Sequence, residues 1–263
     1  MKHRMLDIQR PSAHVASVFL NRPEVRNAFN ETTIVELGSV FAELSEDQNL
    51  RAIVLGGHGK AFCAGADLGW MRAMADFTWE QNRADAQALA DMLWLVYKCP
   101  VPVVGRIHGD CYAGGVGLAS VCDVLLAAEG VNFCLSEARL GLLPATISPY
   151  VIRAMGEQAA RRYFVTAERF DAAQALALGL VHEVCAPEAL DTRLNEIVAT
   201  LVANGPMATR ACKKLVQEVA GQPLTPALRA ETARRIADIR ASSEGREGVR
   251  SFLDKRKPAW LED

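Results

Sequence analysis

The chain has 263 residues, of which 50% are apolar and 23% are charged, and its formal net charge is −2. This composition is typical of a folded, water-soluble protein, and the length is near the upper size for one hydrophobic core. The densest cationic run is the short segment 254–257 (DKRK). Nucleic-acid binding is therefore disfavoured as the main role.

The cysteine usage indicates a reducing compartment. The seven cysteines are an odd number, most have apolar neighbours, and no CxxC pair occurs, which disfavours a disulfide framework or a zinc site. Residues 1–7 lack the apolar core of a signal peptide, and the longest apolar stretch, 118–128, is interrupted by Asp123 and is too short to span a bilayer. We expect a cytoplasmic protein with no membrane segment; an organellar presequence removed ahead of this numbering is the alternative.

The first half of the chain alternates between strand and helix patterns. Residues 14–20 alternate between apolar and polar side chains and predict a strand that ends at the turn residues 21–23 (NRP). The apolar spacing then predicts, in chain order, a helix over 31–44, a strand over 51–55, a long helical region over 70–98, a strand over 101–107 and a short helix over 114–121.

The second half begins with short strands and becomes helical. Strands are predicted at 124–126, 133–135 and 181–184, and a helix at 149–163 that starts with Ser148 as its cap and has Gly156 as a candidate interruption. Asp171 is a predicted N-cap and Gly179 a helix stop. From residue 187 onward the pattern is helical, punctuated by Gly205, Gly221 and Gly245.

This order of elements predicts an α/β core over residues 1–195 and a helical C-terminal region over residues 196–263. The C-terminal helices have apolar faces with little chain left to cover them. They either pack on another subunit or fold back on their own core.

Two glycine corners carry the first functional signal. Residues 61–67 (AFCAGAD) and 112–117 (YAGGVG) each follow a strand pattern and open a helix pattern, and such a junction aims unpaired backbone N–H groups outward. Two such groups converging on one point would stabilise a developing oxyanion, as acyl thioester chemistry requires. Glu137, in residues 136–141 (SEARLG), is a candidate acid/base. The structural alternatives are tight turns and a surface glutamate paired with Arg139.

At these motifs the chain resembles the enoyl-CoA hydratase/isomerase (crotonase) family. The resemblance covers nearly the whole chain, through residues 21–28, 59–68 (GKAFCAGADL), 109–117 and 252–260. Within the family, residues 135–150 (LSEARLGLLPATISPY) are similar to methylglutaconyl-CoA hydratases of leucine and isovalerate breakdown.

The resemblance implies a ClpP/crotonase spiral of ββα units that assembles through its C-terminal helices into trimers or dimers of trimers. It implies a CoA thioester as substrate and no metal or redox cofactor. Carried over residue by residue, it assigns the oxyanion donors to the backbone amides of Ala66 and Gly114 and the catalytic carboxylate to Glu137. It assigns CoA contacts to Arg26, Ala28, Lys60, Ala64, Asp67 and Leu68.

One position departs from the pattern. Many hydratases of this family have a second glutamate three residues after the oxyanion glycine, where this chain has Gly117. The leading hypothesis is hydration of a branched or glutaconyl-type 2-enoyl-CoA with Glu137 as acid/base. A Δ3,Δ2-enoyl-CoA isomerase, which needs one carboxylate, is the alternative, and an RNA-binding protein is the alternative of another class. Asp67 has a second interpretation as the N-cap of a helix starting near Leu68.

Overall fold

A computed structural model describes residues 4–261, so the first three residues of the predicted core and the last two of the predicted helical region lie outside it. The strands are β1 (Leu6–Ser12), β2 (Val15–Leu20), β3 (Ala52–Gly57), β4 (Ala61–Cys63), β5 (Val103–Ile107), β6 (Asp110–Tyr112), β7 (Val124–Ala128), β8 (Asn132–Cys134), β9 (Arg169–Asp171) and β10 (Glu183–Cys185). The helices are α1 (Glu31–Glu46), α2 (Leu68–Met74), α3 (Trp79–Lys98), α4 (Gly114–Ser120), α5 (Ser148–Met155), α6 (Glu157–Thr166), α7 (Ala172–Ala177), α8 (Leu190–Ala203), α9 (Pro206–Val219), α10 (Pro226–Ala241) and α11 (Ser243–Leu253).

The strands form two sheets that the chain visits in turn. The larger sheet has the order β1-β2-β3-β5-β7-β10 and the smaller has the order β4-β6-β8-β9. From β3 to β8 the strands alternate between the two sheets, so β3, β5 and β7 run parallel in the larger sheet and β4, β6 and β8 run parallel in the smaller. Each turn of the chain adds one strand to each sheet and returns through helix, which confirms the predicted α/β spiral of ββα units.

The core lies against the larger sheet. Every residue of β3 is buried, as expected for a parallel strand covered on both faces. Helix α1 buries Ile34, Leu37, Phe41 and Leu44, whose spacing of three and four residues forms one apolar stripe. The first glycine corner begins four residues after the end of β3.

The structure adds two details in the first half of the chain. The region 70–98 is helical as predicted but divides into α2 and α3, because Thr78 starts a new helix through a capping box with Gln81. Strand β1 was missed: it contains Pro11, and it lies at the edge of the larger sheet, paired only with β2, where proline is tolerated.

Further along, the predicted helix ends have mixed outcomes. Gly156 interrupts the helix over 149–163 with φ of +81°, and Asp171 caps α7 by accepting a hydrogen bond from the Gln174 amide at 2.7 Å. Ser148 does not cap α5, because it is the first helical residue and its hydroxyl donates to the Ala145 carbonyl at 2.8 Å. The last strand, predicted from residue 181, begins two residues later in the structure, because β10 starts at Glu183.

Gly245 does not separate two helices as predicted. It lies inside α11, and the break between α10 and α11 is at Ser242, whose hydroxyl accepts from the Gly245 amide at 3.0 Å. A Cβ at residue 245 would lie 2.1 Å from the Ile239 carbonyl oxygen. Glycine is therefore present here because two helices approach each other closely.

The C-terminal helices differ in how they meet the core. Helix α8 buries Leu190, Leu194 and Val198, so the predicted division at residue 195 falls inside a helix that packs on the core. Helices α9 and α10 have no buried residue. The organisation of residues 196–263 as a separate region stays a prediction.

Helix α9 is held by a polar docking face that consists of Arg210, Lys213 and Gln217. Arg210 Nη2 donates to the Asp47 and Leu50 carbonyl oxygens at 2.7 and 3.1 Å, and Gln217 Nε2 donates to the Tyr97 carbonyl at 2.7 Å. Lys213 Nζ lies 2.6 Å from Asp123 Oδ2, with side chains that are 7% and 28% exposed. Because these three residues are spaced by three and four, they lie on one side of the helix.

We expect Lys213→Met to lower the free energy of unfolding by about 3 kcal/mol, because it leaves the Asp123 carboxylate partly buried without its cation. Lys214→Met is the matched control: that ammonium group is 72% exposed and 3.9 Å from Glu218, so its loss should change stability by less than about 0.5 kcal/mol. Urea unfolding at one protein concentration measures both variants. Equal effects would show that the ion pair does not anchor α9.

Candidate active site

The first glycine corner leaves one backbone amide free. The Phe29 amide donates to the Gly65 carbonyl and the Asp67 amide donates to the Phe29 carbonyl, both at 2.7 Å. Because a trans peptide group is planar, the Ala66 N–H points opposite to the Gly65 carbonyl and therefore away from Phe29. Among the described residues, the Ala66 N–H has no hydrogen-bond partner.

The second corner leaves a second amide free. The Ala113 carbonyl accepts from the amides of Val116 and Gly117 at 2.9 and 3.4 Å, so it points into α4. The Gly114 N–H belongs to the same peptide group and points out of the helix; within residues 4–261 it too lacks a partner. Ala113 reaches this geometry at φ of +47° and ψ of −119°, a backbone conformation that is rare for an alanine.

The two corners touch each other. A Cβ added to Gly65 would lie 3.0 Å from the Ala113 Cβ, and one added to Gly115 would lie 2.7 Å from the Cys63 carbonyl oxygen. Glycine at these two positions allows the corners to approach this closely. Ala66 and Gly114 both remain half-exposed, so their free amides belong to adjoining loops at the surface of the core.

Glu137 follows strand β8, which is hydrogen-bonded to the second corner. The Ala113 amide donates to the Cys134 carbonyl at 2.8 Å, and a short 3₁₀ helix, Glu137–Leu140, begins three residues later. Arg139 donates to the Ala167 carbonyl at 2.6 Å, so the interpretation of Glu137 as its ion-pair partner does not hold.

The Glu137 carboxyl group is unpaired and partly buried. Of the side chains in residues 4–261, only Glu137 and His108 have a buried polar atom, Oε2 and Nδ1, without a hydrogen-bond partner. Burial raises the pKa of the Glu137 carboxyl, and a hydrogen bond from its own backbone amide opposes this to a smaller extent. A carboxyl group whose pKa is raised by burial, with an oxygen that has no partner, is a candidate for exchanging a proton with a bound molecule.

Ile147 fills the space next to Gly117. A Cβ at residue 117 would lie 2.1 Å from Ile147 Cγ2 and 2.6 Å from Ile147 Cβ. Ile147 is 2% exposed and belongs to the hydrophobic core. The position at which many hydratases of the family have a second glutamate therefore has no room for a side chain.

The residues predicted to contact CoA lie on two joined loops. The Ala64 amide donates to the Arg26 carbonyl at 3.0 Å, which ties residues 22–30 to residues 58–68. Arg26, Lys60 and Leu68 are exposed, Ala64 is half-exposed, and Ala28 is buried.

Asp67 is fully engaged within the chain. Its Oδ1 accepts from the amides of Gly69 and Trp70 at 2.8 and 3.2 Å, and its Oδ2 lies 2.9 Å from Arg22 Nη2. The interpretation of Asp67 as the N-cap of α2 is confirmed. Cys63, a neighbour in the same corner, is fully buried, and burial raises the pKa of its thiol to about 12, which disfavours it as a nucleophile.

Sequence reasoning missed three residues of this site: Arg22, Asn27 and Ile147. Asn27 adopts φ of +56°, and its side chain donates to the His58 and Ala61 carbonyls at 2.8 and 2.9 Å. Asparagine tolerates the left-handed region better than most residues, so its place in the segment 26–28 was an available signal. Arg22 and Ile147 meet partners far away in the sequence, and no local pattern announces those contacts.

Comparisons with known proteins agree with this architecture. Residues 10–263 match the family model described as enoyl-CoA hydratase/isomerase, so the chain belongs to that family. It is 33% identical over 252 residues to the enoyl-CoA hydratase ACTT6 of Alternaria alternata, in an alignment that covers 94% of this chain and 82% of the relative.

Solved structures show the same fold over nearly the whole chain. An enoyl-CoA hydratase from Shewanella pealeana has a TM-score of 0.95 and 39% identity, covering 98% of this chain and 97% of that one. AtuE of Pseudomonas aeruginosa has a TM-score of 0.94 and 38% identity, covering 98% of this chain and 100% of that one. The predicted family and crotonase fold are confirmed, and the protein is an enzyme of the enoyl-CoA hydratase family.

We expect Gly117→Ala to destabilise the protein by about 2 kcal/mol, because the added methyl group must displace the buried Ile147. Gly38→Ala is the matched control in another buried helix, since a Cβ there would lie at an ordinary 3.5 Å from Leu95 Cδ1. That variant should be about 0.5 kcal/mol more stable than the native protein. Thermal unfolding measures the pair, and a Gly117→Ala variant as stable as Gly38→Ala would contradict the crowding.

Proposed function

We propose that the protein adds water across the C2=C3 bond of 2-enoyl-CoA thioesters, with the amides of Ala66 and Gly114 as oxyanion donors and Glu137 as acid/base. The observation that carries the proposal is the pair of free, outward-pointing amides on two touching corners. The Glu137 oxygen without a partner, three residues after the Cys134 carbonyl that binds the second corner, supports it.

The chemistry needs both elements. Attack of water at C3 moves negative charge onto the thioester oxygen, and each fixed N–H donor stabilises that charge by about 3 kcal/mol. Water must lose a proton, and C2 must gain one. Glu137 takes the first proton and returns one to C2, a role that contributes about 10²–10⁴-fold to rate.

Because the contact with Ile147 leaves no room for a carboxylate at residue 117, we assign both proton transfers to Glu137. The same contact favours a second candidate function, the Δ3,Δ2-enoyl-CoA isomerase reaction, in which one carboxylate moves a proton between C2 and C4. Both reactions pass through an enolate held by the same two amides.

We further propose a branched or glutaconyl-type acyl group, on the similarity of residues 135–150 to methylglutaconyl-CoA hydratases. CoA would contact Arg26, Ala28, Lys60, Ala64, Asp67 and Leu68, and the reaction would need no metal or redox cofactor. The two loops are joined and carry the exposed side chains of Arg26, Lys60 and Leu68, which supports this placement.

The proposed assembly is a trimer or a dimer of trimers formed through residues 196–263. The C-terminal helices expose large apolar side chains, among them Met207, Val216, Ile236, Val249 and Phe252, and a further copy of the chain would cover them. Sedimentation velocity gives the number of chains.

Within the described part of the chain, no helix is both long and apolar enough to cross a membrane.

One assay separates the two reactions. Purified protein is given a 2-enoyl-CoA and a 3-enoyl-CoA in parallel: hydration removes the absorbance of the conjugated thioester, whereas isomerisation creates it. We expect loss of absorbance, fastest with branched and carboxylated acyl groups in a panel that also contains short linear ones. Turnover of neither substrate would contradict the proposed function.

Glu137→Gln should lower kcat by at least about 10²-fold with CoA-ester binding intact, because the amide cannot accept a proton from water. In the native enzyme kcat/KM should fall as pH decreases through the raised pKa of Glu137, since the base must be ionised. Glu188→Gln, at an exposed glutamate, is the control and should keep full activity. Native-like turnover by Glu137→Gln would remove Glu137 from the mechanism.

A further inference from the structure

Arg22 joins two segments on either side of the free Ala66 amide. Its Nη1 donates to the Ala28 carbonyl at 2.6 Å and its Nη2 lies 2.9 Å from Asp67 Oδ2. The side chains of Arg22 and Asp67 are 14% and 16% exposed, so this ion pair is more shielded from water than an ordinary surface pair.

The backbone of Arg22, from which this side chain extends, is held by the turn that follows it. Arg22 N donates to Asn27 Oδ1 at 2.9 Å, and the Asn27 amide donates back to the Arg22 carbonyl at 2.9 Å. Arg26 and Asn27 take φ of +55° and +56°, an unfavourable pair of left-handed residues that these bonds maintain. The turn places Ala28 and Phe29 next to residues 64–67.

The direction of the Ala66 amide depends on this alignment. The Phe29 amide holds the Gly65 carbonyl, and the peptide plane transmits that direction to the Ala66 N–H. Arg22 binds the carbonyl of Ala28, the residue before Phe29, and the side chain of Asp67, the residue after Ala66. The arginine therefore links the same two segments that the two backbone hydrogen bonds of Phe29 join.

We infer that Arg22 is a positioning residue for the oxyanion site, acting through Ala28 and Asp67 on the direction of the Ala66 N–H. The inference rests on the proposed role of that amide. Arginine suits the task because its planar fork reaches two acceptors at once, which a lysine ammonium group on a flexible stem does not reproduce.

The primary test compares steady-state kinetics of Arg22→Met and Arg22→Lys with the native enzyme on the best 2-enoyl-CoA substrate. Losing an oxyanion donor outright lowers kcat by about 10²–10³-fold, so a misdirected donor should lower it by about 10–100-fold, with KM within about threefold. Arg22→Lys should recover part of the loss. A raised KM with unchanged kcat would overturn the inference, because Arg22 would then act in CoA binding.

Arg106→Met is the matched control. Arg106 is 18% exposed and pairs with Asp191 on α8, and its Nε and Nη2 bonds go to that residue and not to either corner. It should keep the native kcat. A comparable loss of kcat in Arg106→Met would show that removing any shielded arginine slows the enzyme, and would overturn the inference.

A spectroscopic measurement reports on the donor directly. In the Glu137→Gln background, where turnover is blocked, infrared difference spectra of bound 2-butenoyl-CoA labelled with ¹³C at the thioester carbonyl show how strongly that carbonyl is hydrogen-bonded. Adding Arg22→Met should return the carbonyl band part of the way towards its position in free 2-butenoyl-CoA. An unmoved band together with native kcat in the single variant would refute the role.

Asp67→Asn keeps the test open if the arginine variants do not fold. It preserves the side-chain volume and the oxygen that caps α2, but it replaces the carboxylate oxygen that accepts from Arg22 by an uncharged NH₂ group and so removes the ion pair. We expect it to lower kcat several-fold, and its effect should be less than additive with that of Arg22→Lys. A folded Asp67→Asn with native kcat and an unmoved band would contradict the inference, whereas a native enzyme inactive on every enoyl-CoA would instead contradict the proposed function.

Discussion

The hydrogen bond from the Phe29 amide to the Gly65 carbonyl sets the geometry on which the candidate site depends. This bond occupies the Gly65 carbonyl, and because the peptide group is planar, the Ala66 N–H of the same group points outward. The second corner uses the same physics with a different partner, since the first turn of α4 consumes the Ala113 carbonyl. Both donors are thus main-chain groups directed by their own peptide planes, and the spiral of ββα units brings the two corners together.

The two carboxylates of this region have opposite environments. Burial acts to raise the pKa of Asp67, but hydrogen bonds from Arg22 and from the Trp70 and Gly69 amides outweigh it and lower that pKa. Within residues 4–261, Glu137 has no ion-pair partner and one carboxyl oxygen without a hydrogen bond, and burial raises its pKa. Asp67 is therefore kept ionised and holds the backbone, whereas Glu137 is suited to exchanging a proton.

The sequence predicted what local patterns encode. Alternation identified β2, apolar spacing identified α1, and the two glycine corners indicated where amides would be free. It failed where the decisive contact is distant or the pattern is diluted. The break between α2 and α3 was signalled by Thr78 and Gln81, but apolar spacing continued across it. Gly245 resembled a helix stop because its crowding against Ile239 arises only after α10 and α11 have packed. The Arg22–Asp67 pair and the Gly117–Ile147 contact likewise exist only in three dimensions.

The contact between the corners has a consequence for which substitutions the site tolerates. The methyl group of Ala113 fills the space between the two corners, and Gly65, which lies opposite, has no side chain. Any side chain at residue 65 would wedge the loops apart and change the separation of the two amides. The separation of the two amides is therefore set by Gly65 and Ala113, two of the smallest residues of the site. The charged residues act within that separation.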